Sequence, residues 1–150
     1  MMQQANLSKE LIEEMQGLIR VNLDASEGMA TAAKTVESKP LADLMSMLSK
    51  ERREQAGELQ RCVEAGGEEP VSSGSTKGML HRWWLNCRGA LNGGDDHVVL
   101  VEAERGEDEI KERYEEALKT VPGSPMEPVL REQYEKVKAA HDAIRDLRDM

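Results

Sequence analysis

The stretch from Val98 to Leu118, VVLVEAERGEDEIKERYEEAL, decides the fold. Apolar or small residues recur through it and just beyond it, alternately three and four positions apart, and we call such a line of residues a seam. This spacing is the heptad pattern of a helix packed in a left-handed bundle. It predicts a helix from about residue 96 to 120, with Glu107 on its seam and Glu104 beside it. The seam consists of Leu100, Ala103, Glu107, Ile110, Tyr114, Ala117 and Val121.

Three further helices are predicted from about residues 7 to 36, 39 to 65 and 125 to 149. Asn6 or Ser8 is the expected N-cap of the first, and Ser38 caps the second with Pro40 in its first turn. The fourth helix has the clearest start signal, in which Ser124 is the N-cap, Pro125 follows at the first position and Glu127 completes a capping box. The short turn at Ser38, Lys39 and Pro40 makes the first two helices antiparallel neighbours.

Polar residues interrupt the predicted seams near the middle of the bundle. Asn22 lies on the first seam and Gln133 on the fourth. On the second helix we expect one stripe to contain Leu41, Leu44, Leu48, Glu51, Gln55, Glu58 and Cys62. Counting outward from the turns places Asn22 near Gln55, Glu27 near Glu51, and His141 level with Glu104.

The segment from Gly66 to Gly94 is too long for a minimal up-and-down bundle. It begins as a loop and then carries a predicted short helix at about residues 77–91, with Trp83 and Trp84 expected to cover the bundle core. Such a connection suits a bundle with one long crossover, placed here between the second and third helices. The sequence therefore predicts an all-α fold, a single domain over residues 1–150, with no convincing strand.

Composition narrows the possible functions. The chain has 150 residues, a formal net charge of −9 and only 3% aromatic residues. An acidic surface repels nucleic acid and anionic lipid, and we expect no nucleic-acid partner and no membrane association. The N-terminal residues resemble no secretory signal. Cys62 and Cys87 do not form a CxxC motif, so we expect a cytoplasmic protein with reduced thiols.

A metal site is the sharpest chemical hypothesis. Carboxylate-bridged di-metal bundles take glutamates from two helices and Glu-x-x-His pairs from the other two. The candidate ligands here, for iron, manganese or zinc, are Glu27, Glu51, Glu104, Glu107 and His141. The Glu-x-x-His pattern is incomplete in this sequence. Lys138 takes the place of the glutamate three residues before His141, and Glu54 takes the place of the histidine three residues after Glu51. The alternative is that the glutamates lie at the wet edges of the seams and that Asn22, Gln55 and Gln133 only fix the helix register.

The mid-helix glycines and the cysteines give weaker information about function than the candidate metal ligands do. Gly28, Gly57 and Gly106 lie within predicted helices beside or near seam carboxylates, and they indicate either close helix packing or space between helices. No base stands at useful spacing from either cysteine, so we expect no catalytic residues and no enzymatic activity.

The motifs LHRWW, GALNGGDD, RGED and AAHDAIRDLRD resemble an uncharacterised bacterial family. Its members are four-helix bundles with a domain of unknown function, grouped with the ferritin-like superfamily. The resemblance implies a ferritin-like bundle with the crossover between helices 2 and 3, and it implies no activity. Ferritin-like relatives carry paired Glu-x-x-His motifs, and here the positions read Glu51-x-x-Glu54 and Lys138-x-x-His141.

We therefore expect a non-enzymatic helical bundle that acts in protein interaction or stress response, with a homodimer as the expected assembly. The alternative is a metal-binding ferritin-like protein whose carboxylate and histidine site is degenerate.

Overall fold

The fold is all-α in a computed structural model that describes residues 8–74 and 96–150. Four helices and no strand are present in these two ranges, as expected. The helices are α1 (Lys9–Thr35), α2 (Lys39–Ala65), α3 (Asp96–Thr120) and α4 (Glu127–Arg148). The predicted crossover helix at about residues 77–91 lies outside the described residues.

The N-termini of α1 and α2 follow the sequence signals. The Ser8 side chain accepts a hydrogen bond from the backbone N–H of Leu11, and Ser38 does the same for Leu41. Pro40 lies in the first turn of α2, where a backbone N–H has no helical acceptor. These caps fix the short turn between α1 and α2.

The predicted start of α4 is wrong by two residues. The Ser124 hydroxyl accepts from the backbone N–H of Met126, only two residues on, and the Glu127 carboxylate reaches back to the backbone N–H of Gly123. Gly123 has a φ of 81°, so the chain is still turning there. Helical hydrogen bonding therefore starts only at Glu127, and its N-cap, Met126, makes no side-chain cap bond.

The helices form two antiparallel hairpins. The hairpin α1–α2 is the more extensively packed, α3–α4 is the second, and α1 against α3 is the main contact between them. Ser49 on α2 donates to the backbone carbonyl of Ser26 on α1 at 2.7 Å, which shows how closely these two helices approach. Two apolar clusters fill the interior, one around Met15, Leu59 and Leu130 and the other around Met45, Val99 and Ile144.

The predicted stripe on α2 is correct at Leu41, Leu48 and Gln55 and one position early at its other four residues. Leu44, Glu51, Glu58 and Cys62 are only partly buried, whereas the residue beside each is fully enclosed. The inward-facing residues keep the alternating spacing of four and three over most of the helix, and Arg52 takes a position that an apolar residue would normally hold. They are Leu41, Met45, Leu48, Arg52, Gln55, Leu59 and Val63.

The first part of the crossover lies against α1 and α2. The Gln16 side chain donates to the carbonyl of Glu69 and accepts from the N–H of Val71, each at 2.9 Å. A Cβ on Gly74 would collide with the carboxylate of Asp24, so only glycine permits this approach. At the start of α3, the carboxylate of Asp96 accepts from the backbone N–H groups of Glu37 and Ser38.

The described outer surface carries few large apolar side chains. Met47 is 55% exposed and the C-terminal Met150 is 94% exposed, whereas Met15, Met29, Met45 and Met126 are buried. Over residues 8–74 and 96–150, no helix combines the length and the apolar character that crossing a lipid bilayer requires.

Candidate functional site: a buried polar layer

A fully buried ion pair lies near the middle of the bundle. Nη2 of Arg52 on α2 donates to Oε1 of Glu107 on α3 at 3.0 Å, and Nε donates to Oε2 at 3.4 Å. Neither side chain is exposed to solvent. Nη2 also lies 3.0 Å from the carboxylate of Glu51, whose side chain is 28% exposed, and Nη1 donates to Gln55. The guanidinium is thus enclosed by three oxygen-bearing side chains.

Two glutamines extend this pair to α4. The Gln55 amide donates to the backbone carbonyl of Gln133 at 3.1 Å, and the Gln133 amide donates back to the carbonyl of Gln55 at 3.4 Å. The Gln133 amide also donates to Glu58 at 2.7 Å. The side-chain amide oxygen of Gln133, Oε1, accepts from the hydroxyl of Tyr114 on α3 at 2.6 Å. Side chains of α2, α3 and α4 are therefore joined in one network.

Asn22 connects the network to α1. Its amide nitrogen donates to the Tyr114 hydroxyl at 2.9 Å and to the Leu18 carbonyl at 2.8 Å, whereas its amide oxygen is buried and has no hydrogen-bond partner among residues 8–74 and 96–150. Together, Asn22, Arg52, Gln55, Glu107, Tyr114 and Gln133 form what we call the polar layer. It links all four helices. Asn22, Arg52, Gln55 and Glu107 separate the two apolar clusters along α1, α2 and α3, whereas Tyr114 belongs to the first cluster and Gln133 lies between two of its members on α4.

Burial controls the electrostatics of the layer. It raises the pKa of Glu107, and the adjacent Arg52 guanidinium opposes this rise. Burial likewise raises the pKa of Tyr114 well above its usual value. The phenol is therefore held neutral as a donor to Gln133. The hydrogen bonds between these side chains tie the four helices together, and within the described ranges Asn22 Oδ1 is the one buried side-chain oxygen of the layer without a partner.

The five predicted metal ligands do not come together. Glu27 is exposed on α1. Glu51 and Glu107 both contact the Arg52 guanidinium, whose positive charge stands among the carboxylates that were expected to hold a cation. Glu104 and His141 do meet, as the count from the turns predicted, with Nε2 of His141 at 3.5 Å from Oε2 of Glu104.

His141 is the centre of a second cluster at the edge of the bundle. Its Nε2 lies 2.8 Å from Oδ1 of Asp108, and its Nδ1 lies 3.3 Å from Asp142. The guanidinium of Arg148 contacts the other oxygen of Glu104. In the two described ranges, no group of three or more His, Cys, Asp or Glu side chains is arranged to hold a metal ion.

Sequence reasoning missed Arg52, Asp108 and Arg148. Arg52 had a detectable signal, because it stands four residues after Leu48 and three before Gln55 on an alternating seam. Asp108 and Arg148 had none, since they are ordinary charged residues near the outer edges of α3 and α4.

Cys62 is a free, partly buried thiol whose pKa is raised, first by burial and then by Glu58. A raised pKa lowers the thiolate fraction, so Cys62 is a poor nucleophile.

Comparison with known families finds a match over most of the chain. The model of a family described as a domain of unknown function (DUF2383) matches residues 10–120, well over half of the chain. The chain belongs to this family. The DUF2383 match takes in α1, α2 and α3 with every layer residue except Gln133, and it ends where α3 ends. None of the curated proteins compared with the chain matches it.

Proposed function

We propose that this DUF2383 protein is a non-enzymatic helical bundle that acts by protein association, with a homodimer as its working form. The observation that carries the proposal is the Arg52–Glu107 pair at the centre of the core. The guanidinium bonds Glu107 and Gln55 and contacts Glu51, so these oxygens already have a cationic partner. The core then serves to hold the four helices in one arrangement, and the outer surface and the assembly carry the function.

We also propose a superfamily, a source and a cellular location for the protein. A long connection between α2 and α3, with short turns elsewhere, is the connectivity of ferritin-like bundles. We place the chain in that superfamily as a member whose metal centre has been replaced by a protein-only ion pair. We also propose a bacterial, cytoplasmic protein with a role in stress response, in line with the acidic composition and the free Cys62 thiol.

Two measurements test the proposal. Analytical ultracentrifugation over a range of concentrations should give the mass of a dimer. Metal analysis of protein purified without chelator should give less than stoichiometric iron, manganese or zinc, and adding these metals should leave the melting temperature unchanged. A monomer at every concentration would contradict the assembly, and stoichiometric metal would contradict the protein-only core.

A second candidate function, metal binding at the bundle edge, is favoured by the meeting of His141 with Glu104 and Asp108. An imidazole and two carboxylates are ligand types that zinc, iron and manganese take, although these three side chains, as the structure places them, are not arranged around a single ion position. Arg148 competes for Glu104 in the same place. Isothermal titration of the protein with zinc distinguishes the candidates, with His141→Ala as the test variant and His97→Ala, which changes an exposed histidine at the start of α3, as its control. Binding that is lost only in His141→Ala would establish this candidate.

A further inference from the structure

The four helices form a ring that is packed unevenly. Close backbone approaches join α1 to α2, α1 to α3 and α3 to α4. The ring is closed by α2 and α4, and these two helices, both wholly described, approach each other closely far less often than the other neighbouring pairs do. The α2–α4 edge is therefore the most loosely packed side of the bundle.

Polar side chains bridge the α2–α4 edge. The amides of Gln55 and Gln133 each donate to the backbone carbonyl of the other residue, and Gln133 also donates to Glu58. Glu58 is partly exposed, and so is Glu51, which lies seven residues earlier and hence on the same face of α2. Water therefore reaches the rim of the polar layer at this edge.

Helix α1 holds its two neighbours more closely. Its Ser26 accepts, through the backbone carbonyl, a hydrogen bond from the Ser49 hydroxyl on α2 at 2.7 Å. Its Asn22 donates to the Tyr114 hydroxyl on α3 at 2.9 Å. Helix α1 is thus the side of the ring about which α2 can move away from α4.

The polar layer lowers the cost of separating α2 from α4. Separation breaks the pair of Arg52 with Glu107 and exposes both charges to water, which returns the hydration that their burial removed. Arg52 keeps its hydrogen bond to Gln55 and its contact with Glu51, because both of these residues lie on α2. An apolar layer would gain nothing from exposure to water.

Contacts in the other half of the layer survive the separation. Tyr114 stays bonded to Asn22, since α1 and α3 remain packed, and to Gln133, since α3 and α4 move together. The side-chain amides of Gln55 and Gln133 are released at the edge that opens. Each hydrogen bond that is broken there is replaced by one to water, so the net loss is small.

We propose that the bundle opens reversibly along its α2–α4 edge while α1 stays packed against both α2 and α3, so that water enters the polar layer without global unfolding. This inference concerns the single chain and does not depend on its assembly. Parts of a protein with few packing contacts open at a lower free energy than the whole molecule unfolds. The opening exposes the inward faces of α2 and α4, and it leaves the contact between α1 and α2 covered.

Thiol labelling at two buried positions tests the opening. In a chain whose own cysteines are replaced (C62A/C87A), Val137→Cys places a thiol on the inward face of α4, and Ser26→Cys places one between α1 and α2. Neither residue is exposed in the native protein, and both substitutions nearly conserve volume. An aromatic disulfide reagent modifies each thiol only when that thiol becomes exposed.

The labelling rate is measured at urea concentrations below the unfolding transition. It is compared with the limit that each variant's own stability to urea sets for labelling through global unfolding. We expect Val137→Cys to react about tenfold faster than this limit or more, with a weak dependence on urea, because the opening exposes little surface. Ser26→Cys should react only at its limit. Both variants reacting at their limits, or both exceeding them equally, would overturn the proposal.

Hydrogen exchange separates the opening from local unfolding of α4. If α4 moves as an intact helix, its backbone amides keep their helical hydrogen bonds, and peptides from α4 should exchange no faster than peptides from α1. Exchange in α4 through an opening as frequent as the one that labels Val137→Cys would mean that the helix unfolds, and the proposal would be wrong. Ile144→Cys, on the same face of α4 and also fully buried, repeats the labelling test if Val137→Cys does not fold.

Discussion

The guanidinium of Arg52 meets the carboxylate of Glu107 through two hydrogen bonds in the interior of the bundle, and water reaches neither side chain. Taking two charges out of water costs several kcal/mol for each ion, and their attraction offsets this only when the geometry is good and further hydrogen bonds are made. Gln55 and Glu51 supply those further contacts to Arg52. Removing either partner would therefore leave the other as a buried charge without its counterion.

Arg52→Met should destabilise the protein strongly. It leaves Glu107 as a buried charge without a partner, and breaking a buried pair in this way costs about 3–5 kcal/mol. Urea unfolding at pH 7 measures the loss. Arg53→Met, which changes the exposed neighbour, is the matched control and should change stability by less than about 0.5 kcal/mol. Equal losses in the two variants would show that the pair has no special role.

The ionisation of Glu107 gives a second prediction. Its pKa is raised in the folded protein, so the folded state retains the proton more readily than the unfolded chain does. The favourable contribution is complete below the unfolded pKa and is lost as pH rises through the folded value. Glu107→Gln mimics the neutral form at every pH, so its stability relative to wild type should increase as pH rises above about 4, where a glutamate of the unfolded chain ionises. Urea unfolding at several pH values measures this difference, and a decrease would contradict the direction of the pKa shift.

Gln133→Leu distinguishes a network from a simple register marker. A lone polar residue on a seam often costs stability, so its replacement by leucine is stabilising. Gln133 instead bonds Tyr114, Glu58 and the carbonyl of Gln55. We expect Gln133→Leu to lose about 2 kcal/mol, because the buried Tyr114 donor is left unpaired. Thermal and urea unfolding check this, with the exposed Glu132→Leu as control, and a gain in stability would favour the register interpretation.

Titration of the tyrosines tests whether Tyr114 is buried in the polar layer, and it requires no substitution of a layer residue. Tyr114 and Tyr134 are the chain's two tyrosines, and both have raised pKa values. The hydrogen bond from Tyr134 to Glu115 raises its pKa to about 12, and burial raises that of Tyr114 further. Absorbance near 295 nm should show no phenolate at pH 10.5 in folded protein and clear ionisation in urea, where tyrosine titrates near pH 10. Tyr134→Phe should remove the step near pH 12, and ordinary titration of the folded protein would refute the prediction.

Gly57→Ala tests the interpretation of the mid-helix glycines. A Cβ at Gly57 would meet Arg61 of the same helix at 3.6 Å, which is an ordinary contact, so no neighbouring helix requires a glycine there. Alanine should stabilise α2 by up to about 1 kcal/mol, and calorimetry would show a higher melting temperature. Gly74→Ala is the informative contrast, because its Cβ would collide with Asp24 and should destabilise the protein. A loss at Gly57 would indicate the close packing that the sequence suggested.

The sequence predicted the helices well, since heptad spacing and caps are local properties. Ser8 and Ser38 begin α1 and α2 as expected, and the meeting of Glu104 with His141 follows from counting along two antiparallel helices. The rotation of α2 could not be predicted correctly, because the polar residues in its middle fit two stripes that differ by one position at several residues. One stripe contains Glu51, which is a possible metal ligand. The stripe that is buried contains Arg52 instead.

The centre of the site could not be predicted from the sequence for a related reason. Arginine is almost never fully buried without a partner, so a pattern analysis places it outside. Arg52 is buried because Glu107 lies opposite it on α3. Whether the two side chains meet depends on how both α2 and α3 are rotated about their axes, and the sequence of one helix does not determine the rotation of the other.

The uneven exposure of the methionines bears on how the protein would respond to an oxidant. Peroxide would convert Met47 and Met150 to sulfoxides at the surface, whereas Met15, Met29 and Met45 are shielded by the packed helices. Sulfoxide at those three positions would therefore appear only after the bundle had opened. The ratio of outer to inner methionine oxidation, read by mass spectrometry, would report how often the bundle opens.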